Sequence, residues 1–138
     1  SYFSDLKNYV CHQTLYMSVK LLTDYLQHYT LIGIKSGINR KSFTDIWMVT
    51  VAGRFFSRSW NKSKTGWFNE ILKNGAGQLN LNNTILNVTV KKIEKDDDIH
   101  QKIDLAYLSK YTQPENTSYA HGISQPDYHD FTVEFLIE

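Results

Sequence analysis

Four basic side chains lie close together in the middle of the sequence, with no acidic residue between them. They are Arg54, Arg58, Lys62 and Lys64, in the stretch RFFSRSWNKSK. Guanidinium and ammonium groups form charge-assisted hydrogen bonds to phosphates and carboxylates, so this cluster predicts an anion-binding site. Thr65-Gly66 then leads into a predicted helix, whose first backbone N–H groups also favour an anion. The alternative is a solvated hairpin, because runs of charge usually face water.

Strand alternation separates these bases from a set of hydroxyl groups. If residues 54–60 form a strand, the two arginines share one face with Phe56 and Trp60. The opposite face carries Phe55, Ser57 and Ser59. One face therefore presents long bases between aromatic rings, and the other presents small polar groups.

Other candidate motifs are weaker. The stretch HGISQPDYHD at residues 121–130 holds two histidines and two aspartates, but its spacing matches no metal-ligand pattern, so we predict no metal site. Helix capping accounts for the three consecutive acids at residues 96–98. The sequence lacks the G-x-S-x-G, P-loop, C-x-x-C and H-E-x-x-H patterns. It therefore identifies no catalytic residue.

Composition limits the classes of partner. The 138 residues are 41% hydrophobic and carry a formal net charge of +1, as in an ordinary globular domain. So small a net charge argues against nucleic acid and membrane partners, although a basic, aromatic strand face leaves single-stranded nucleic acid as a further hypothesis. The single cysteine, Cys11, excludes an intrachain disulfide and favours a cytoplasmic location. Its place among helical apolar positions predicts a buried thiol.

The apolar pattern predicts one domain made of an N-terminal helix, residues 1–29, and a barrel, residues 30–138. The predicted core stripe of the helix is Leu15, Val19, Leu22 and Leu26, widened by Met17, Leu21 and Tyr25. Six strands are predicted, at residues 30–36, 44–52, 54–60, 78–81, 84–94 and 130–138.

Connections between the predicted elements set the fold class. Gly53 and Asn82-Asn83 predict tight hairpins, and further helices are predicted at residues 65–75 and 96–111. A loop that contains both prolines, Pro114 and Pro126, is expected before the last strand. Short connections favour an α+β fold in which six mainly antiparallel strands close into a split β-barrel with flanking helices.

The sequence resembles a family of small uncharacterised bacterial proteins, domain-of-unknown-function family 2255, over about residues 31–136. In IWMVTVAGRFFSRSW…TGWFNEILKNGAGQLNL, an apolar strand with a tryptophan precedes a glycine turn and an aromatic strand ending in Arg-Ser. A helix opened by Gly-Trp-aromatic follows. The stretch IDLAYLSKY is similar to a family helix that ends Ala-Tyr-x-x-Lys-Tyr, and FTVEFL resembles the family's closing strand.

That family is grouped with the FMN-binding split barrels, which include pyridoxamine-phosphate-oxidase-like proteins and deazaflavin-dependent nitroreductases. The resemblance implies a barrel that is often dimeric, so we expect a homodimer with FMN or a deazaflavin in a groove beside residues 54–64. In the nitroreductases, a Trp-aromatic-x-x-Leu helix follows the strand and loop that meet the cofactor. Here the matching run begins at Trp67 and has Ile71 in place of leucine.

From this resemblance we expect a small-molecule reductase that uses FMN or a deazaflavin. The implied cofactor contacts are Arg58, Lys62 and Lys64 for the phosphate, Ser57 and Ser59 for the ring or ribitol, and Trp47 or Trp67 for stacking. The alternative is a binding module without catalysis, in which the same groove holds another anionic or aromatic small molecule.

Overall fold

One curled antiparallel sheet organises the chain. The computed structural model describes residues 1–37 and 40–138. Its strands are β1 (Ile32–Ser36), β2 (Thr44–Ile46), β3 (Val49–Val51), β4 (Arg54–Arg58), β5 (Ala76–Leu81), β6 (Thr84–Lys92) and β7 (Thr132–Ile137). Its helices are α1 (Tyr2–His28), α2 (Trp67–Asn74), α3 (Ile99–Lys110) and α4 (Thr117–Ile123), with a 3₁₀ helix at Pro126–Phe131.

The order of the strands shows why the sheet curls. It is β2-β1-β5-β6-β7-β4-β3, and every neighbouring pair is antiparallel. The two edge strands, β2 and β3, are separated in the chain only by Trp47 and Met48. The sheet must therefore bend until its two edges approach each other, which gives a half-barrel flanked by helices.

The predicted number of strands was wrong by one. The stretch at residues 44–52 was predicted as one strand, but it divides at Trp47 and Met48. Its first part pairs with β1, with Ile46 opposite Ile32, and its second part pairs with β4, with Val49 opposite Phe56. The half-barrel therefore has seven strands rather than six, because one stretch supplies both edges. The α+β class and the antiparallel pairing are confirmed.

Two tight turns agree with the sequence. Ala52 and Gly53 adopt φ of 51° and 75° between β3 and β4, and Asn82 and Asn83 adopt φ of 54° and 82° between β5 and β6. Paired positive φ values match the right-handed twist of the flanking strands. These turns set the register of both hairpins.

Helices cover both faces of the sheet. One core cluster, which includes Leu22, Phe55 and Ile71, joins the sheet to α1 and α2. The other, which includes Phe56 and Ile103, joins it to α3 and α4. Neighbouring residues of β4 thus enter opposite clusters, as strand alternation predicted, but both faces of β4 are buried.

Part of the predicted core stripe of α1 is exposed instead of buried. Leu22 and Leu26 are buried, but Met17 and Leu21 are 66% and 43% exposed. Cys11 is exposed as well, contrary to the predicted buried thiol. The reason is that only the carboxyl-terminal third of the helix packs against the core, so the remainder extends into solvent.

The predicted loop before the last strand is also largely helical. It contains α4, which has no side-chain hydrogen bond at its N-cap, Asn116. The 3₁₀ helix then begins at Pro126, where the fixed φ of proline suits a first helical position. Short helices without a capping side chain leave little signal in the sequence.

The Arg58 side chain, at the end of β4, is completely buried and fully hydrogen-bonded. Its Nε donates to Thr132 Oγ1 at 3.0 Å, and its Nη1 donates to Asp104 Oδ1 and to the Ile123 carbonyl oxygen. Its Nη2 donates to His100 Nδ1 at 3.1 Å and to the His100 carbonyl oxygen at 3.5 Å. All five guanidinium N–H groups therefore have acceptors within the protein.

These contacts also determine which ring nitrogen of His100 carries the proton. Because Nδ1 accepts a hydrogen bond from Arg58, the proton lies on Nε2, which donates to the Glu94 carbonyl oxygen at 2.7 Å. Burial lowers the pKa of His100, and the nearby Arg58 and His129 lower it further. Arg58 thus joins β4 to α3 through a neutral imidazole and one carboxylate. It is linked to α4 through the Ile123 carbonyl oxygen and to β7 through the Thr132 hydroxyl.

We therefore expect Arg58 to contribute strongly to the free energy of unfolding. Replacing it with Met keeps an unbranched stem that ends near the position of Nε. It removes all five donors and leaves Asp104 without its buried partner. Loss of one member of a buried ion pair typically costs about 3–5 kcal/mol, and we expect a decrease of this size in the free energy of unfolding, measured by denaturant titration.

The matched control is Arg40→Met, which removes a guanidinium from the exposed pair with Glu70. Exposed pairs contribute little, so this variant should unfold like the wild type. Similar unfolding free energies for the two variants would contradict a structural role for Arg58.

Candidate functional site

All three tryptophans of the chain line a single cleft. Trp47, Trp60 and Trp67 bound a cavity of about 350 Å³, together with the polar residues Thr44, Asp45, Ser59, Asn61 and Ser63. We call this cavity the tryptophan cleft. We call the two-residue connection between β2 and β3, Trp47 and Met48, the strap. The cleft lies where the strap, the end of β4 and the start of α2 meet. A concave site with aromatic walls and a few polar groups is the usual form of a small-molecule site.

Trp47 is held in place by its position between the two edge strands. Its indole stacks on Tyr111 with ring centroids 3.7 Å apart and an interplanar angle of 8°. Its carbonyl oxygen accepts a hydrogen bond from Ser57 Oγ at 2.7 Å. Tyr111 in turn donates its hydroxyl to the Thr30 carbonyl oxygen at 2.7 Å, and burial raises the pKa of Tyr111, so it remains a neutral donor.

Met48, the second residue of this strap, is anchored by the end of α3. Lys110 Nζ donates to the Met48 carbonyl oxygen at 2.8 Å, and burial lowers the pKa of Lys110 to about 8. The strap therefore receives one donor from β4 and one from α3. It forms a fixed wall of the cleft.

Trp60 forms a more exposed wall of the cleft. Its ring is stacked on Tyr128 at 5.6 Å, meets the edge of Tyr119 at 5.3 Å, and is 43% exposed. Tyr128 also donates its hydroxyl to the Trp60 carbonyl oxygen at 2.7 Å. At Gly122 an added Cβ would lie 3.0 Å from the indole, so this glycine gives the ring its space. The supports come from α4 and the 3₁₀ helix.

Trp67 is the first residue of α2 and brings the amino end of that helix to the cleft. The N-cap, Gly66, is extended and provides no side-chain hydrogen bond. The preceding loop is held by Asn69, which donates to the Ser63 carbonyl oxygen at 2.7 Å. Free backbone N–H groups at a helix start carry partial positive charge, so this wall favours an anionic group.

The structure gathers only some of the residues that the sequence predicted. Trp47, Ser59 and Trp67 line the cleft. Ser57 is wholly buried, and its hydroxyl is used by Trp47. Arg58 borders the cleft, but its guanidinium is directed inward, contrary to the expectation of an accessible base.

The two lysines lie on the loop beside the cleft. Lys62 forms an ion pair with Asp127, and its ammonium lies 4.3 Å from the centroid of the Tyr128 ring. The hydrogen bond from Lys62 lowers the pKa of Asp127. Lys64 is exposed to solvent. The predicted basic cluster is thus divided into one buried arginine, one paired lysine and one solvent-facing lysine, with Arg54 paired to Glu134.

The cleft also contains four residues that the sequence pattern did not indicate as site residues, namely Trp60, Asp45, Asn61 and Tyr119. Trp60 could have been found, since it adjoins Ser59 and is one of only three tryptophans. Asp45 gave no signal, because its place in the cleft depends on the division of residues 44–52 into two strands. Tyr119 lies on α4, which was predicted to be a loop.

The cluster at residues 121–130 has structural roles. Asp130 pairs with Lys92, and His129 contacts Asp104 and stacks on His100 at a centroid distance of 4.2 Å. Within residues 1–37 and 40–138, no group of three or more histidine, cysteine or acidic side chains is arranged to hold a metal ion. Of the helices in the same ranges, none combines the length and hydrophobicity needed to cross a membrane.

Two solved structures share this fold. A candidate pyridoxamine 5'-phosphate oxidase from Listeria innocua aligns with a TM-score of 0.51 at 11% identity, over 87% of this chain and 91% of that one. A conserved hypothetical protein from Mycobacterium tuberculosis aligns with a TM-score of 0.52 at 12% identity, over 85% and 77% of the two chains. At such low identity the similarity establishes the fold but carries no activity.

Comparison at the level of sequence identifies the family. No curated protein matched the chain. The model of the family described as "Uncharacterized protein conserved in bacteria (DUF2255)" matches residues 32–135, which include the whole half-barrel except its last residues. This match confirms the resemblance found in the sequence. The chain therefore belongs to the DUF2255 family of bacterial proteins.

Proposed function

We propose that the tryptophan cleft binds a planar aromatic molecule with an anionic tail, namely FMN or a deazaflavin, and that the protein acts as a small-molecule reductase. One observation carries the proposal, which is the convergence of all three tryptophans on one cleft of about 350 Å³. Aromatic rings pack favourably against other flat rings, so a cleft bounded by three indoles suits a planar ligand.

The cleft suits the ring part of such a ligand. Its volume lies near the lower end of the roughly 300–1,000 Å³ typical of small-molecule sites, so it holds a fused ring system rather than a dinucleotide. Trp47 provides a fixed wall and Trp60 an exposed one. Asp45, Ser59 and Asn61 offer hydrogen-bonding groups to the polar edge of the ring.

The anionic tail would leave the cleft toward the loop that carries Lys62 and Lys64. Arg58 is excluded from this role because its five donors are already used. Lys62 would have to exchange Asp127 for the phosphate, and Lys64 and the amino end of α2 would add positive charge. When bound, a flavin or deazaflavin supplies hydride chemistry, and this chain supplies orientation and exclusion of water.

The hydrogen-bond donors of Arg58 are all used within the protein, and this favours a second candidate, a binding module without catalysis. A site whose one buried cation is unavailable and whose wall contains the Asp45 carboxylate is poorly suited to a phosphate. It would accept another aromatic molecule, with or without a small anionic group. The two candidates differ in whether a phosphate strengthens binding.

The primary test is titration of the purified protein with FMN and with a deazaflavin. Because all three tryptophans line the cleft, a bound ring should quench most of the intrinsic tryptophan fluorescence and saturate with a single dissociation constant. The melting temperature should rise with ligand concentration, because the ligand binds only the folded state. If neither compound quenches the tryptophan fluorescence, yet other aromatic molecules raise the melting temperature, the protein is instead the binding module.

A second prediction concerns Trp60. Replacing it with Leu removes an exposed stacking surface, and stacking on one aromatic side chain contributes about 1–3 kcal/mol, so affinity for FMN should fall roughly 5- to 150-fold. The control is Tyr29→Leu, since Tyr29 is 47% exposed, close to the 43% of Trp60, and lies outside the cleft. Equal affinities of the two variants for FMN would show that Trp60 does not contact the ligand.

A third prediction distinguishes the contribution of the phosphate to FMN binding from that of the ring. The double variant Lys62→Ala and Lys64→Ala should bind FMN about tenfold more weakly, because charge-assisted contacts are lost, and should bind riboflavin, which has no phosphate, as the wild type does. Lys73→Ala with Lys91→Ala makes the same charge change on exposed residues elsewhere. If both double variants lose FMN affinity equally, the loop does not contact the phosphate.

A further inference from the structure

A second apolar stripe runs along the exposed half of α1. It consists of Tyr2, Tyr9 and Tyr16, spaced by seven residues, of Phe3, Val10 and Met17, spaced in the same way, and of Leu6 between them. These seven side chains are between 46% and 80% exposed. We call this set the α1 seam.

The seam faces away from the sheet. At about 100° per residue, its members fall on the side of α1 opposite Leu22 and Leu26, which contact the core. It therefore contributes nothing to the half-barrel. It also lies entirely before residue 32, where the match to the family begins, so it belongs to the part of this chain outside the family domain.

The spacing indicates what covers the seam. Apolar residues repeated every seven positions form the contact line of one helix on another, whereas binding to a flat surface requires no heptad spacing. Gln13 continues the column that begins at Leu6, and a single polar residue within such a line fixes the register of helix pairs.

Charge favours a second copy of this chain over a membrane. Residues 1–18 contain one aspartate, Asp5, and one lysine, Lys7, so two copies would meet without net repulsion. Helices that lie on membranes usually have a polar face rich in Lys and Arg, which this segment lacks.

The area of the seam is also sufficient. Aromatic side chains bury about 150–250 Å² each, so the exposed parts of its four rings alone would bury on the order of 500 Å² per copy. Leu6, Val10 and Met17 bring the total toward the roughly 800 Å² per partner of a standard interface.

We propose that the α1 seam is a dimer interface, in which α1 of one copy packs along α1 of a second copy. This interface is independent of the tryptophan cleft, so it neither requires nor supports the proposed ligand. It leaves the half-barrel and the cleft accessible in each copy, because the seam and the core-facing side of α1 point in opposite directions.

The test is sedimentation equilibrium of the full chain over a range of micromolar concentrations. The wild type should reach twice its mass of 16.1 kDa. The variant Leu6→Asp with Val10→Asp buries four charges per dimer, and its dissociation constant should rise at least about 100-fold. Ser4→Asp with Asn8→Asp makes the same charge change on exposed residues of the other side of α1 and should remain dimeric.

The other outcomes each overturn the proposal. A wild type that stays monomeric shows that copies do not pair, and co-sedimentation of that monomer with phosphatidylglycerol vesicles assigns the seam to a lipid surface. A dimer that survives the seam substitutions must use another face. Circular dichroism of both variants should match the wild type, since all four positions are exposed.

Discussion

The strap between β2 and β3 is the constraint on which the rest of the structure depends. Two residues, Trp47 and Met48, connect the opposite edges of a seven-stranded sheet, so the sheet is forced to curl. Ser57 and Lys110 each donate a hydrogen bond to a carbonyl oxygen of the strap, and Tyr111 stacks on the indole. Because the strap is fixed from both sides, the wall of the cleft that it forms is fixed as well.

The buried network around Arg58 fixes a second group of elements that border the cleft. It joins the end of β4 to α3, α4 and β7. Of these elements, α4 also carries Tyr119, which contacts the Trp60 ring. Because all five donors of the guanidinium bind acceptors within the protein, the network is rigid. None of these donors is left for a phosphate. The cleft therefore has a structural cation behind it and its accessible cations at its rim.

Much of the fold could be predicted from local patterns. Positive-φ residues at Gly53 and Asn82-Asn83 set two hairpins, and Gly75, with φ of 73°, ends α2 close to the predicted boundary of that helix. The division at Trp47 could not be predicted, because residues 44–52 are nearly all apolar or β-branched and show no alternation that would mark a break. The burial of Arg58 depends on Asp104, which lies 46 residues later in the chain. Charge patterns along the sequence carry no information about such a partner.

The most direct measurement of the central claim uses the three tryptophans separately. Protein labelled with fluorotryptophan should give three fluorine resonances, one for each indole. If a planar cofactor enters the cleft, all three should shift on titration with FMN or a deazaflavin and follow one dissociation constant. Resonances that remain unchanged at saturating concentrations of both compounds would contradict the account.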